Sequence, residues 1–321
     1  MARVTVGARL HFGFQNLSLA HERLYGGIGV GLSEPSLSVS ADRAETLSAE
    51  DTLAERYARR SLRALDLPGA TVSVERRLPR HVGLGSGTQL ALAVHAAVAA
   101  AYGREVGVRE AAPALGRGGR SGVGVATFES GGFVTDVGHP TTRFTSTPPG
   151  EGDWRVPPVL ARHDVPERWR FLLVIPAGRG EHGESEDESM RSVVERASPG
   201  IGEEIAGILT RRLLPAIAEG DLGTFGRAVS AIGRLNGAWY ADEQGGVYRP
   251  PVGEVVRSLE GSRSVECAGQ SSWGPCVYAV TDADRAEAAR AVGEEALGSV
   301  GVEGRVRVVG ARNEGATIER S

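Results

Sequence analysis

The chain has 321 residues, a net charge of −4, and apolar and charged fractions of 41% and 24%, enough for two domains on one extended core and too apolar for wholesale disorder. The slight negative charge gives no electrostatic case for nucleic acid or an anionic membrane, and no apolar run approaches the roughly 20 residues that a membrane span requires. Every basic side chain is arginine; with no lysine in the sequence, Schiff-base chemistry and the lysine-bearing Walker loop are excluded, and any phosphate must be held by arginine, backbone N–H groups or metal.

In chain order, the opening Met1 to Leu10 reads as a strand rather than a signal peptide, and Arg3 to Val6 and Ser36 to Ala41 alternate like half-buried strands. Asp51 to Leu65 carries Leu53, Tyr57, Leu62 and Leu65 near helical spacing, and Thr71 to Arg77 alternates again. A glycine loop follows, then Thr88 to Tyr102, an alanine-rich apolar stretch that reads as a helix buried on most sides. A second glycine-rich block, Gly116 to Gly138, ends in a strand around Phe133 to Val137. The Thr-, Pro- and Gly-rich stretch from Pro140 to Pro158 sets the expected domain boundary, giving units 1–155 and 156–321. Beyond it, Phe171 to Ile175 is a continuous apolar strand, and Glu203 to Ala218 and Leu222 to Trp239 read as helices. Val265 to Val280 is strand, glycine turn, strand; Asp282 to Leu297 is an amphipathic helix; Arg305 to Val309 closes as a strand. Strands and helices mix in both halves, which argues α+β rather than a regular βαβ repeat. Cys267 and Cys276 are too few for a disulfide framework or a zinc site, so a reduced cytoplasm is expected.

Three glycine blocks carry the chemistry. The first is Pro79-Arg80-His81-Val82-Gly83-Leu84-Gly85-Ser86-Gly87-Thr88, directly before a helix. Its glycines let backbone curl close to a ligand, and the helix start offers unpaired N–H groups and a positive dipole end to an anion. The plainer alternative is a turn capped by Ser86. The second is Gly269-Gln270-Ser271-Ser272-Trp273-Gly274-Pro275-Cys276, either a ligand wall or a hairpin with Trp273 in the core. The third is Arg117-Gly118-Gly119-Arg120-Ser121-Gly122-Val123-Gly124, two arginines beside backbone able to wrap an anion, or a solvated basic loop.

The Pro79 to Thr88 loop resembles the phosphate-binding motif of the GHMP kinases, and Gly269 to Cys276 resembles their C-terminal motif. Arg9-Leu10-His11-Phe12-Gly13, Tyr25-Gly26-Gly27-Ile28-Gly29 and Arg117 to Gly138 narrow the resemblance to the β-ribofuranosylaminobenzene 5′-phosphate synthases, over nearly the whole chain. The resemblance implies the GHMP fold: an N-terminal domain like domain 2 of ribosomal protein S5 and a C-terminal ferredoxin-like α/β domain. It also implies an enzyme of methanopterin biosynthesis that joins phosphoribosyl pyrophosphate to 4-aminobenzoate or 4-hydroxybenzoate, releasing CO2 and pyrophosphate. In mevalonate-type kinases an aspartate follows the Ser-Gly-Val stretch; here Gly124 follows Ser121-Gly122-Val123, and Pro113 falls near the position of a magnesium-holding glutamate. The kinase machinery therefore reads as dismantled around a retained phosphate cradle.

On this reading pyrophosphate sits on Gly83, Leu84, Gly85, Ser86, Gly87 and Thr88, clamped by Arg117 or Arg120 and bridged by Mg²⁺. Arg9, His11 and Arg23 are candidates for the 5′-phosphate or the aromatic carboxylate, with Arg120, His11 and Arg9 as catalytic candidates. Gly26, Gly27, Ser121 and Gly122 line the substrate site; Gln270, Ser271, Ser272 and Trp273 form the opposite wall, with Trp273 a stacking surface for the ring. Ser86, Glu129 and Asp136 are the candidate Mg²⁺ ligands. The plainer readings are a surface ion pair for Arg9, a structural role for His11, and solvated strand ends for Glu129 and Asp136. His182 is a weak catalytic candidate beside the acidic run Glu184 to Glu188, itself a solvated helix start. The family also implies a homodimer with small-molecule substrates and no membrane or nucleic-acid partner. Two other readings stay open: an ATP-dependent kinase whose aspartate has moved to Asp136, and a non-catalytic ligand sensor.

Overall fold

A computed structural model describes residues 1–143, 150, 152–177 and 184–320, with side chains from 188 onward in the last segment. The N-terminal half comprises β1 (Ala2–Asn16), β2 (Arg23–Arg43), β3 (Ser48–Ala49), α1 (Thr52–Leu65), β4 (Ala70–Arg76), α2 (Ser86–Ala101), α3 (Val108–Ala111), α4 (Val123–Ser130), β5 (Phe133–Asp136), β6 (His139–Pro140) and β7 (Val159–His163). The C-terminal half comprises β8 (Trp169–Pro176), α5 (Glu184–Arg196), α6 (Pro199–Ile208), a π-helical turn (Leu209–Leu213), α7 (Leu214–Glu219), α8 (Leu222–Gln244), α9 (Val252–Glu260), β9 (Cys267–Gln270), β10 (Val277–Asp282), α10 (Ala286–Ser299), β11 (Gly304–Val309) and β12 (Thr317–Arg320). His182 lies outside the described residues.

The first sheet runs β12-β1-β2-β4-β3, with β5 and β6 on β2 and β7 on β5. The second runs β11-β8-β10-β9 with antiparallel neighbours. In its own strand order this is the 4-1-3-2 arrangement of a ferredoxin-like sheet, as the family resemblance implies. Pairing moves the boundary expected at 155: β7 completes the N-terminal sheet through Phe133↔His163, and β12 returns to it through Ala2↔Arg320. The composition shift marks where the chain leaves the sheet, whereas hydrogen bonding decides where the sheet ends.

Local chemistry accounts for the elements. Asp51 caps α1 by accepting the Ala54 N–H at 2.7 Å, and Asp221 caps α8 by accepting the Thr224 N–H at 2.9 Å. Every residue of α2 from Gln89 to Ala100 is buried, because β1, β2, α1 and α4 all pack on it and its alanines allow close approach. On β8, Phe171, Leu173 and Ile175 enter the large core shared by both halves, while Leu172 and Val174 enter a smaller one under α9 and α10. Period-two geometry with both faces covered thus explains its continuous apolar run.

One side chain clamps the halves together. Asn236 on α8 accepts the Phe14 N–H at 2.7 Å and donates to the Phe14 carbonyl at 3.0 Å, extending β1 sideways as a strand neighbour would. Gly13 is required beside it, since a Cβ there would lie 2.6 Å from the Asn236 amide. Asn236→Ala is expected to leave both Phe14 backbone groups buried and unpaired, lowering stability by ~2–4 kcal/mol; a shift in the denaturant midpoint at constant m-value measures it.

Candidate active site

The glycine loop is held in place by the turn from the other half. Gly83 (φ 90°) and Gly85 (φ 76°) adopt left-handed backbone, Gly85 forming the N-cap of α2 with no side-chain cap. The Ser271 hydroxyl donates to the Gly83 carbonyl at 2.8 Å, and the Cys276 N–H donates to the Val82 carbonyl at 3.1 Å. Contact is so close that a Cβ on Gly83 would lie 2.1 Å from the Ser271 carbonyl oxygen, and one on Gly274 would lie 2.0 Å from the Val82 carbonyl carbon. From below, Arg9 supports the loop, donating from Nη1 to the Gly83 carbonyl at 3.0 Å and from its own N–H to the Leu84 carbonyl at 3.2 Å. Arg9 is therefore a strut of the loop, and it lines the adjoining cavity as well.

With its first turn left uncapped, α2 faces a cavity of about 820 Å³ lined by Gly85, Ser86, Gly87, Thr88, Arg117 and Trp273, among others. That is the size class of a small-ligand site, and the open N–H groups of the helix start favour an anion. Arg117 reaches the same helix end: a Cβ on Gly87 would sit 3.3 Å from its Nη2. Its guanidinium also hydrogen-bonds the Tyr57 hydroxyl and lies 5.3 Å from the Tyr57 ring centroid, while its buried Nε has no partner. Arg120 stands one residue before Ser121 and does not line this cavity. Between the two candidate clamps, the structure brings Arg117 to the loop. Arg117→Ala is expected to weaken pyrophosphate binding about 10- to 100-fold, the equivalent of ~1.4–2.8 kcal/mol, and to cost ~1–3 kcal/mol of stability through the Tyr57 hydroxyl it leaves unpaired; titration calorimetry with pyrophosphate and a thermal melt check it.

Beyond the loop lies a buried polar chain from β1 to β5. His11 Nε2 is 3.3 Å from the Ser121 hydroxyl, which in turn donates to Asp136 Oδ2 at 3.3 Å. The Asp136 carboxylate accepts backbone N–H groups from Gly122 at 2.7 Å, Gly138 at 2.8 Å and Gly27 at 3.0 Å. Gly27 is needed there, because a Cβ would fall 2.0 Å from the Ser121 oxygen. Gln15 fixes the same corner by donating to the Asp136 carbonyl at 2.6 Å and to Thr135 at 2.7 Å.

Burial pushes Asp136 up to about 6 in spite of those donors, and burial with the nearby Arg9 charge pushes His11 down to about 3. Burial likewise lowers His95 and His139 to about 4. The signs oppose. Below its ordinary value of 6.5 each of these histidines takes up a proton only when unfolded, so acidification favours unfolding; Asp136 takes one up near 6 only when folded, so acidification favours folding. Three histidines against one aspartate leave the unfolded chain binding about two more protons near pH 5, so stability is expected to fall on acidification from pH 6.5 to 4, most steeply near pH 5 at ~2.5 kcal/mol per unit. Thermal melts across that range check it; a flat or rising melting temperature on acidification contradicts it.

Several sequence-derived assignments change. Glu129 pairs with Arg109 at 2.5 Å and Asp136 is enclosed by backbone donors; neither lines the cavity. Both stand as corrections to the expected Mg²⁺ ligands, since a carboxylate satisfied by neighbours has no free oxygen aimed at the loop. Arg23 donates to the Val137 and Gly138 carbonyls at 3.0 and 2.7 Å, so it braces a turn and does not line the cavity. Gly26 (φ 78°) packs under Gln15 and the Asp136 carbonyl. Gln270 supports its turn by donating to the Ser272 carbonyl at 3.2 Å. Ser272 (φ 55°) lines the cavity, as does the buried Trp273, whose ring meets Tyr240 edge-on at 4.9 Å. No cluster of three His, Cys, Asp or Glu suited to a metal occurs among the described residues. Sequence reasoning passed over Tyr57 as a mere core position of α1, and Asn236 carried no signal at all.

The position where a kinase carboxylate would follow Ser-Gly-Val is closed. A Cβ on Gly124 would lie 2.9 Å from Thr88 Cγ2, and the Gly124 carbonyl accepts the Gln89 amide at 2.9 Å. The two helices meet there too closely for any side chain to enter without displacing Thr88.

Comparison with known proteins agrees with this geometry. Residues 52–132 match the GHMP kinases N terminal domain and residues 213–297 the GHMP kinases C terminal domain. β-Ribofuranosylphenol 5′-phosphate synthase of Methanothermobacter thermautotrophicus is 35% identical, covering 98% of this chain and 97% of its own. The protein of the same name from Archaeoglobus fulgidus is also 35% identical, over 99% of this chain and 100% of its own. Among solved structures, L. major mevalonate kinase superposes with a TM-score of 0.69 at 13% identity over 96% of each chain. Methanococcus jannaschii mevalonate kinase gives 0.67 at 14% identity, over 97% of this chain and 98% of its own.

Proposed function

The chain belongs to the GHMP superfamily and, within it, to the β-ribofuranosylphenol 5′-phosphate synthase family, and from that premise we propose that it joins phosphoribosyl pyrophosphate to 4-hydroxybenzoate. A carbon–carbon bond forms between the anomeric carbon and the ring carbon bearing the carboxylate; the anomeric C–O bond to pyrophosphate and the aryl–carboxylate bond break, releasing pyrophosphate and CO2. The relatives' names specify a phenol product, which puts the hydroxy acid ahead of 4-aminobenzoate as acceptor. The observation that carries the reading is Gly124: an intact phosphate cradle stands beside a position that carries no carboxylate to activate an alcohol and is packed against Thr88.

In this reading the α2 helix start and Arg117 stabilise the departing pyrophosphate by preorganised donors. The neutral His11, held by Ser121 and through it by Asp136, is a positioning group rather than a cation at neutral pH. Trp273 and Ser272 supply the wall for the aromatic acid. The residues fit a Mg²⁺ carried by the ligand's own phosphate oxygens, with the Ser86 hydroxyl as the one ligand among those expected that lines the cavity, and they do not fit a protein-built site. Such an ion would neutralise charge on the leaving pyrophosphate. The family supports a homodimer. The free, buried thiols of Cys267 and Cys276 suit a reducing cytoplasm, and among the described residues no helix is long and apolar enough to cross a membrane.

The test is release of labelled CO2 from carboxyl-labelled 4-hydroxybenzoate with phosphoribosyl pyrophosphate and Mg²⁺, matched by an equal amount of pyrophosphate. ADP formed from ATP and an alcohol, without CO2, would replace this reading with the kinase.

A further inference from the structure

The large cavity is cationic beyond Arg9 and Arg117. Arg56, Arg77 and Arg80 line it as well as Arg9 and Arg117, against one carboxylate, Asp51. That carboxylate is already committed, capping α1 and pairing with Arg77. Several arginines elsewhere have acidic partners, among them Arg3 with Glu75, Arg109 with Glu129 and Arg285 with Glu266. Arg56 and Arg80 have no acidic partner among the described residues and both face this cavity. Two unpaired guanidiniums converging with a paired third on one concave surface repel one another unless an anion lies between them.

Tyr57 links Arg56 to the Arg117 end of the cavity. The Arg117 guanidinium, at the α2 end, lies 5.3 Å from the Tyr57 ring centroid, and the Arg56 guanidinium lies 5.4 Å from the same centroid. The cavity therefore carries cationic groups, Arg56 and Arg80, in addition to the Arg117 guanidinium at the α2 end. A ligand charged at one end only, such as a nucleoside triphosphate, leaves Arg56 and Arg80 unanswered. Phosphoribosyl pyrophosphate has an anion at each end of one sugar.

Resting on the synthase reading, we infer that Arg56 and Arg80 form the seat of the substrate's 5′-phosphate and select a sugar phosphorylated at both ends. The aromatic carboxylate is the other anion in the reaction, and chemistry argues against placing it here. Two arginines would stabilise the carboxylate in its ground state and slow the loss of CO2, whereas a phosphate that stays intact through the reaction gains from being held throughout. The assignment also relieves Arg23, already spent on the Val137 and Gly138 carbonyls, of that role.

The experiment is calorimetric titration, without acceptor, of wild type, Arg56→Ala, Arg80→Ala and the double variant with phosphoribosyl pyrophosphate, ribose 5-phosphate and pyrophosphate. Both side chains are exposed, so the fold is expected to survive, and a thermal melt of each variant confirms it. The expected result is that the double variant binds phosphoribosyl pyrophosphate and ribose 5-phosphate at least 10-fold more weakly while its affinity for pyrophosphate changes less than 3-fold. Equal weakening of all three ligands would reduce the pair to a general field and overturn the inference. An unchanged sugar-phosphate affinity with weakened binding of 4-hydroxybenzoate, titrated alone, would assign the arginines to the carboxylate and overturn it as well. Binding is read without turnover, so failure to release CO2 counts against the synthase reading alone.

Discussion

Asp136→Ala is expected to lower stability by ~4 kcal/mol or more and to abolish turnover, although Asp136 does not line the large cavity. Its carboxylate is the common acceptor for the Gly27, Gly122 and Gly138 N–H groups and the Ser121 hydroxyl. Removing it strands three buried backbone donors, each costing ~1–3 kcal/mol, with partial relief if water enters the vacated space. Those donors belong to three different segments: the β2 strand, the start of α4 and the turn after β5. The damage therefore spreads to Ser121 and through it to His11. Asp136→Asn separates charge from geometry. The amide oxygen can still accept from one side of the cluster, but its NH2 faces a backbone N–H, so an intermediate loss of stability is expected. Denaturant unfolding and a turnover assay on the same preparations decide the matter. A loss below ~1 kcal/mol for the alanine variant would mean that the carboxylate is not the organiser of this corner.

The second large effect is expected at the interlocked loops. Gly83→Ala and Gly274→Ala each force a Cβ into backbone of the opposite turn, and Gly83 in addition holds a φ of 90° that alanine resists. Neither clash can be relieved by rotating a side chain, so the two motifs must separate. A fall in kcat/KM of at least ~100-fold is expected, equivalent to ~3 kcal/mol, with weakened pyrophosphate binding. Gly87→Ala is the control, because its Cβ would meet only the mobile tip of Arg117 at 3.3 Å. It is expected to cost ~10-fold or less. Equal effects at Gly83 and Gly87 would show that the loop needs flexibility rather than close approach.

The contrast between these glycines also marks what could be read in advance. The loop, the buried helix behind it and the strand-turn-strand at 265–280 were legible because each is a local pattern: glycine spacing, apolar run, period two. That the C-terminal turn grips the glycine loop was implied only by resemblance, since the Ser271–Gly83 contact joins positions far apart in the sequence. Asp136 illustrates the limit most clearly. A carboxylate at a strand end suggests solvent or metal, and only the folded chain reveals that three amides have converged on it. The first half of β2 also escaped, because glycines at 26, 27, 29 and 31 mask the alternation that burial by β1 and β5 imposes. Arg80 was in view as part of a motif, yet its meaning depends on Arg56, which a helical-face reading assigns to solvent.

The pairing of β12 with β1 sets an order of events during synthesis. Ala2 to Thr5 pair with β2 on one side but find their partners on the other only when residues 317–320 exist, which at cellular rates is on the order of tens of seconds later. Until then one edge of the first strand stays open while the rest of the sheet can already form. β12 itself is solvent-exposed along its length, so trimming it removes little core. What it removes is the cover on an edge, and the consequence is sticking of one molecule to another before any loss of chemistry.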